Sequence, residues 1–245
     1  MTELVVGAPV HQRAWILPDW LHHLTRAIEH HEDPQDLDWD DIVLLFNYGP
    51  SNDATLEILR EAERMRPWSV EVLVDETDEH HADRRWSFAR YEVMARLRND
   101  LLARVRELAP AHYLSLDTDI LLPDGAVHDL LYDFEDERGF DAVAPLLYMT
   151  PQGKRYPNAM RLESGTRPKE MHAVTMLQEV VFAAVMMGPR LYSEVEYAAH
   201  SRGEDIGWGL NARQKGMKMG LNPNVVCKHV MKPELLDAVD VRIGW

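Results

Sequence analysis

Two aspartates interrupt an apolar run in LSLDTDILLP, Leu114 to Pro123. Leu114, Leu116, Ile120, Leu121 and Leu122 have the character of a buried strand, yet Asp117 and Asp119 sit inside it. An unpaired carboxylate removed from water is costly, so the pair needs compensation. That compensation is a metal ion, a pair of basic side chains, or escape to water at the strand's end. In an extended chain residues i and i+2 share a face, so Asp117 and Asp119 are expected to converge with Thr118 turned away. At the carboxyl end of a parallel strand, two convergent carboxylates suit a hard divalent cation, Mn²⁺ or Mg²⁺, that also binds phosphate oxygens.

Two further segments offer groups for the same cleft. NVVCKHV near the C-terminus contains His229, a candidate third metal ligand. GEDIGWGLNARQKGM places Glu204 and Asp205 at the start of a helical pattern. The helix dipole favours a carboxylate there, so Asp205 reads either as a cap or as a general base within reach of a substrate hydroxyl.

The surrounding elements must bring these groups together. Strands are expected over Leu4 to Val10, Asp41 to Gly49, Val70 to Thr77, and the HYLSLDTDILL stretch. Between them run helical patterns: Trp15 to His30, a helix carrying Leu56, Leu59 and Met65, and a long one from Trp86 to Leu108. In the last, Phe88, Tyr91, Met94, Leu97, Leu101, Val105 and Leu108 keep the spacing of one apolar face. Such alternation predicts an α/β fold with a mainly parallel central sheet flanked by helices. Phe140 to Met149 and NPNVVCKHV supply further strand candidates, with the apolar run Val180 to Gly188 between them, and Glu204 to Gln214 a further helix. The polar stretch Thr150 to His172 has no periodicity, and a loop of that length is expected to act as a lid over a ligand. Nothing resembles an interdomain linker, so residues 1–245 are expected to form a single domain.

Bulk properties narrow the function classes. The chain has 245 residues, 46% of them apolar, with a net charge of -15. That charge argues against non-specific nucleic-acid binding, which needs a cationic surface. A single cysteine, Cys227, excludes an internal disulfide. No stretch approaches the ~20 apolar residues of a membrane span, and the N-terminus lacks signal-peptide character. A cytoplasmic location is expected.

Three segments together resemble nucleotide-sugar glycosyltransferases of the GT-A fold, the family 2 group and the mannan-polymerase-type mannosyltransferases. They are MARLRNDLLARVRELAPAHYLSLDTDILLP, GEDIGWGLNARQKGMKMGLNP and NVVCKHV. The resemblance implies a Rossmann-like domain whose residues 1–123 bind the donor and whose residues 124–245 bind the acceptor. It implies that Asp117 and Asp119 hold the metal on the donor diphosphate, with Asp117 nearer the ribose or sugar and His229 completing the shell. Arg98 and Asn99 would reach the donor, while Asp205, or alternatively Glu204, would deprotonate the acceptor. Ala8, Pro9, Val10 and His11 would cup the nucleoside, and Asp75 would bind its base or ribose. Where the family usually has an acidic residue at the end of the second strand, this chain has Phe46-Asn47-Tyr48, and Asn47 could meet a uracil or guanine edge. The implied donor is a UDP- or GDP-linked sugar, transferred with inversion, or with retention if the mannan-polymerase relatives are the better guide.

Other classes also place carboxylates after an apolar strand. Haloacid-dehalogenase-type phosphatases do so, but their D-x-D precedes Gly-Thr near the N-terminus, and here Ile120-Leu121 follows in mid-chain. A nucleotidyltransferase would need a Gly-rich loop that GAPVHQRAW lacks. In a non-catalytic binding protein the two aspartates would be a solvated strand end.

Overall fold

The runs LVVGAPV and IVLLFNY are apolar at consecutive positions, the pattern of strands covered on both faces. The computed structural model describes residues 2–29, 37–65, 68–77, 87–134, 139–149, 156–157, 159–160, 176–178, 180–181 and 183–236. The two runs form β1 (Leu4–Val10) and β2 (Ile42–Tyr48), paired in parallel and buried almost throughout. The remaining strands are β3 (Ser69–Val74), β4 (His112–Leu116), β5 (Ile120–Leu121), β6 (Ala142–Met149), β7 (Tyr156–Pro157), β8 (Ala159–Met160), β9 (Met176–Gln178), β10 (Val180–Val181), β11 (Ala184–Met187) and β12 (Met219–His229). The helices are α1 (Leu17–Ile28), α2 (Thr55–Met65), α3 (Phe88–Leu108), α4 (Ala126–Tyr132), α5 (Pro189–Glu194) and α6 (Glu204–Gln214). The expected lid, Thr150 to His172, lies outside the described residues except for β7 and β8.

The main sheet runs β3-β2-β1-β4-β11-β6-β12-β5. Parallel pairing joins β3, β2, β1 and β4, and again β6 and β12. β11 is inserted antiparallel between β4 and β6. One core, with Trp20, Leu24, Phe46 and Leu59, joins the sheet to α1 and α2. The other, with Leu101, Val105, Tyr113 and Trp208, joins it to α3 and α6. The expected α/β architecture with a single Rossmann-like domain is what the chain adopts.

The apolar face of α3 matches the sequence spacing in its middle, where Tyr91, Leu97, Leu101 and Val105 are buried. Its N-terminal member does not follow: Phe88, in the first turn after the Ser87 cap, is 53% exposed. Met65, assigned to the apolar side of α2, is likewise exposed at the helix's last residue.

The sheet curls sharply at one place. β4 lies in the middle of the strand order and β5 at its end, yet only Asp117, Thr118 and Asp119 connect them. Three residues span at most roughly 10 Å, so the β12 edge must fold back over the end of β4. β12 does this through an irregularity between Asn222 and Val226. There Asn222 Nδ2 donates to buried Asp133 Oδ2 at 2.8 Å, and its Oδ1 accepts from Asn224 N at 2.9 Å. Beyond the bulge, β12 resumes its pairing with β6 at Val226 and Cys227, then pairs Lys228 and His229 with Leu121 and Ile120.

Candidate active site

β1, β2 and β4 run in the same direction, so the loops after Val10, Tyr48 and Leu116 gather at one carboxyl edge. A cavity of about 230 Å³ opens there, lined by Pro9, Val10, His11 and Arg13 from the first loop and Arg90, Met94 and Leu97 from α3. Its remaining wall is Asp117, Thr118 and Asp119. A larger hollow of about 370 Å³ lies elsewhere, between Arg106, Glu196 and Lys215, and contains none of the expected site residues.

The β4 strand stops at Leu116, and the aspartates occupy a turn closed by Ile120 N donating to Asp117 O at 3.0 Å. Strand alternation therefore does not bring them together, as the sequence pattern suggested; the turn sends each carboxylate to a different partner. Asp117 receives Arg98 Nη2 at 2.8 and 3.1 Å on its two oxygens. Its backbone is held as well, with Asp117 N donating to Ala183 O and Trp20 Nε1 donating to Asp117 O. Asp119 stands between Arg13 Nη2, 3.6 Å from its Oδ2, and His229 Nε2, 3.8 Å from its Oδ1. Burial raises the Asp119 pKa, and neighbouring Asp117 adds to the effect against the pull of His229 and Arg13. Val230 N donates to Asp119 O at 2.8 Å, so β12 delivers His229 to this spot by backbone pairing.

Arg98 does not snorkel to solvent. It is 4% exposed, with Nε 3.4 Å from Glu204 Oε1 and its guanidinium 5.5 Å from the Tyr197 ring centre. Tyr197 in turn stacks on Trp208 of α6. One cation thus ties the Asp117 turn to the first turn of α6. Asp205, beside Glu204, makes no hydrogen bond or ion pair within 4 Å among the described residues, and its pKa is pushed up to about 8. Burial is the main cause, with Glu204 and Asp117 adding repulsion and Arg98 opposing it. The close seat of α6 depends on Gly207, where a Cβ would fall 1.9 Å from the Ala198 carbonyl oxygen.

Several expected residues are placed away from the cavity. Ala8 is fully buried in the core. Asp75 is gripped by Arg96, with Nη2 donating to Oδ2 at 2.9 Å, and by Thr77 Oγ1. Burial works to raise its carboxyl, but Arg96 and Thr77 outweigh it and hold it at about 2. The two ends of the Asn99 amide bond the Tyr197 backbone at 3.0 and 2.8 Å, fixing the loop before α6. Asn47 lies beneath the cavity: its Nδ2 donates to Leu97 O, while its buried Oδ1 has no partner among the described residues.

Arg13 is the residue the sequence pattern did not single out. Its only advance signal is a cation two residues beyond His11 in a loop expected to meet ligand. Side chains of the segment after β2 fix that loop. Ser51 Oγ accepts from Gln12 N, Thr55 Oγ1 from Arg13 N, and Asp53 Oδ2 from Ala14 N. They hold Gln12 in the left-handed region at φ 51, a conformation that a residue with a side chain adopts only under such constraint.

The architecture has counterparts among solved structures. The chain matches the 1-349 structure of S. aureus TarS with a TM-score of 0.61 at 16% identity, covering 97% of this chain and 63% of that one. A second TarS structure gives a TM-score of 0.60 over 97% of this chain and 38% of that one. The chain shares its fold with these structures. The A197 protein from STIV is also similar, with a TM-score of 0.55, 11% identity, and coverage of 94% of this chain and 87% of that one. This chain therefore spans less than two thirds of either TarS structure but most of A197. No protein-family model and no curated protein matches the sequence. Among the described residues no helix is long and apolar enough to cross a membrane, and no group of three His, Cys, Asp or Glu is arranged to hold a metal.

Proposed function

We propose that the protein transfers a glycosyl group from a nucleoside-diphosphate sugar to an acceptor hydroxyl. The observation carrying this reading is that Asp117, Asp119 and Arg13 line one cavity at the carboxyl edge of a glycosyltransferase-like sheet, with His229 beside Asp119. TarS, which shares the fold, is a glycosyltransferase.

Asp119 and His229 would hold Mn²⁺ or Mg²⁺. Their 3.8 Å separation exceeds a hydrogen bond, and two ligands of one small octahedral cation stand roughly 3 to 4 Å apart. A shell with only these protein ligands suits a cation that keeps waters and takes phosphate oxygens from the donor. Such a cation, when bound, would offset charge developing on the departing diphosphate.

The chain's own groups supply the rest. Pro9, Val10 and His11 would cup the nucleoside, while buried Asn47 would support the cavity through Leu97 and not touch the base. At about 230 Å³ the cavity is small for a whole nucleotide sugar and suits its nucleotide end. The sugar would then extend over Asp117 toward α6, with residues 1–123 serving the donor and 124–245 the acceptor. Asp205, ionised at the start, would take the acceptor proton as that oxygen attacks the anomeric carbon. The anomeric C–O bond breaks with its electron pair leaving on the nucleoside diphosphate. A base whose pKa lies close to the working pH is efficient in this role. The product would have inverted stereochemistry; a retained configuration would leave Asp205 outside the proton transfer.

The Arg98 fork on Asp117 disfavours a haloacid-dehalogenase-type phosphatase, whose nucleophilic carboxylate must be open to attack phosphorus. Incubation with UDP- and GDP-linked sugars and Mn²⁺ tests the proposal by release of the free diphosphate. Failure to bind or cleave any of them would remove it, as would phosphate release from phosphomonoesters.

A further inference from the structure

We propose that Arg13 is a placeholder for the metal: it offsets the Asp119 charge before the cation binds and moves to the diphosphate when cation and nucleotide arrive together. This inference rests on the glycosyl-transfer reading and adds a positioning residue that couples two ligands. Three observations lead to it. First, Arg13 is anchored at both ends of its backbone unit, with its N–H donating to Thr55 Oγ1 and its carbonyl accepting from Ile16 N and Leu17 N at the start of α1. Its side chain is thereby directed at the Asp117–Asp119 turn without depending on an ordered ligand.

Second, the guanidinium is held loosely. Nε reaches Thr118 Oγ1 at 3.2 Å, and Nη2 stands 3.6 Å from Asp119 Oδ2, beyond the ~2.7–2.9 Å of a tight charged hydrogen bond. The side chain is 32% exposed and lines the cavity, so a short swing redirects it. Arg98 is the contrast: it is buried and fork-bonded, with no such freedom.

Third, Arg13 and His229 address opposite oxygens of the same carboxylate. A cation bound to Asp119 and His229 would therefore face Arg13 across one carboxylate, where like charges repel at short range. A diphosphate placed between them converts that repulsion into two attractions. Arg13 thus penalises the cation alone and the diphosphate rewards the pair, which is a positive coupling free energy between the two ligands.

The test is equilibrium Mn²⁺ binding, read by the electron paramagnetic resonance of free Mn²⁺, with and without UDP and GDP. Wild type should bind Mn²⁺ weakly alone and at least about tenfold more tightly with the matching diphosphate. Arg13→Met keeps an unbranched stem and removes the guanidinium charge. It should bind Mn²⁺ alone about tenfold more tightly than wild type and lose most of the diphosphate enhancement. Arg13→Lys, which keeps the charge, should retain weak binding alone and part of the enhancement. Thermal unfolding of each variant verifies that the loop is intact, and should Arg13→Met not fold, the lysine variant carries the test. If the lysine variant instead binds Mn²⁺ alone as tightly as charge removal predicts, the inference is wrong. If wild type shows the coupling and Arg13→Met keeps it undiminished, the placeholder role is overturned while the transfer reading stands. If wild type binds Mn²⁺ in neither condition, both fall together.

Discussion

Arg98 Nη2 lies 2.8 Å from Asp117 Oδ1 while Nε of the same guanidinium lies 3.4 Å from Glu204 Oε1. A buried cation on α3 therefore joins the turn after β4 to the first turn of α6. The compensation that the apolar run around Asp117 demanded comes, for that residue, from a basic side chain. Arg98→Met should destabilise the protein by about 3–5 kcal/mol, since it strands buried carboxylates. Arg98→Lys should recover little of this, because an ammonium cannot reproduce the fork. Denaturant unfolding of the two variants measures both effects.

Asp205 gives a pH signature of opposite sign. Its folded pKa of about 8 lies above the ordinary 3.8, so ionising it opposes folding as pH rises between those values. Asp205→Asn should therefore be more stable than wild type, with the advantage growing from pH 5 to pH 8. The same variant should still bind donor and lose transfer. Unfolding midpoints across pH, compared with donor binding, check this; an advantage that shrinks with rising pH would contradict it.

At Asp75 the sign reverses again. Its folded pKa of about 2 lies below 3.8, so the Arg96 pair stabilises the protein above pH 4 and stops doing so as pH falls toward 2. Arg96 is 35% exposed, which reduces the effect to on the order of 1–2 kcal/mol. Asp75→Asn should show that deficit at pH 7, and the deficit should close in acid. Unchanged donor affinity in this variant would assign Asp75 to structure; a loss would restore the donor role expected from its position after β3.

Asp119→Ala should fold and lose Mn²⁺-dependent transfer by at least about a hundredfold, the scale of removing one charge-stabilising group from a reaction centre. Full activity in that variant would remove the central assignment.

Gly207→Ala sets two magnitudes against each other. Alanine gains up to about 1 kcal/mol of helix propensity over glycine. Its methyl would collide with the Ala198 carbonyl, and such overpacking costs about 1–3 kcal/mol. A net loss of stability with weakened transfer is expected, because α6 carries Glu204 and Asp205. A stabilised, fully active variant would show that the loop yields freely.

The sequence made the strand–helix order visible because β1 and β2 are apolar on both faces and the middle of α3 keeps a helical spacing. It also marked Asp117, Asp119, Asp205 and His229 as groups with chemistry. Their pairings were hidden for a physical reason: each crosses elements distant along the chain. Arg98 follows Met94 by one helical turn and reads as a flank residue; only the fold shows carboxylates on two sides of it. Arg13 sits in a loop without periodicity, and its aim comes from hydroxyls and a carboxylate of another segment. The exposed Phe88 and Met65 show the converse, since spacing cannot tell where a helix outruns the surface it covers.

The short Asp117–Asp119 bridge between a central strand and the sheet's far edge has a consequence for the order of folding. β5 has no partner until β12 has been made and docked beyond its bulge. During synthesis the two aspartates exist long before the strand that positions one of them, and loop-closure entropy delays such distant contacts. The site is therefore completed late, and a protein able to bind its ligands is one whose C-terminal strand has already closed.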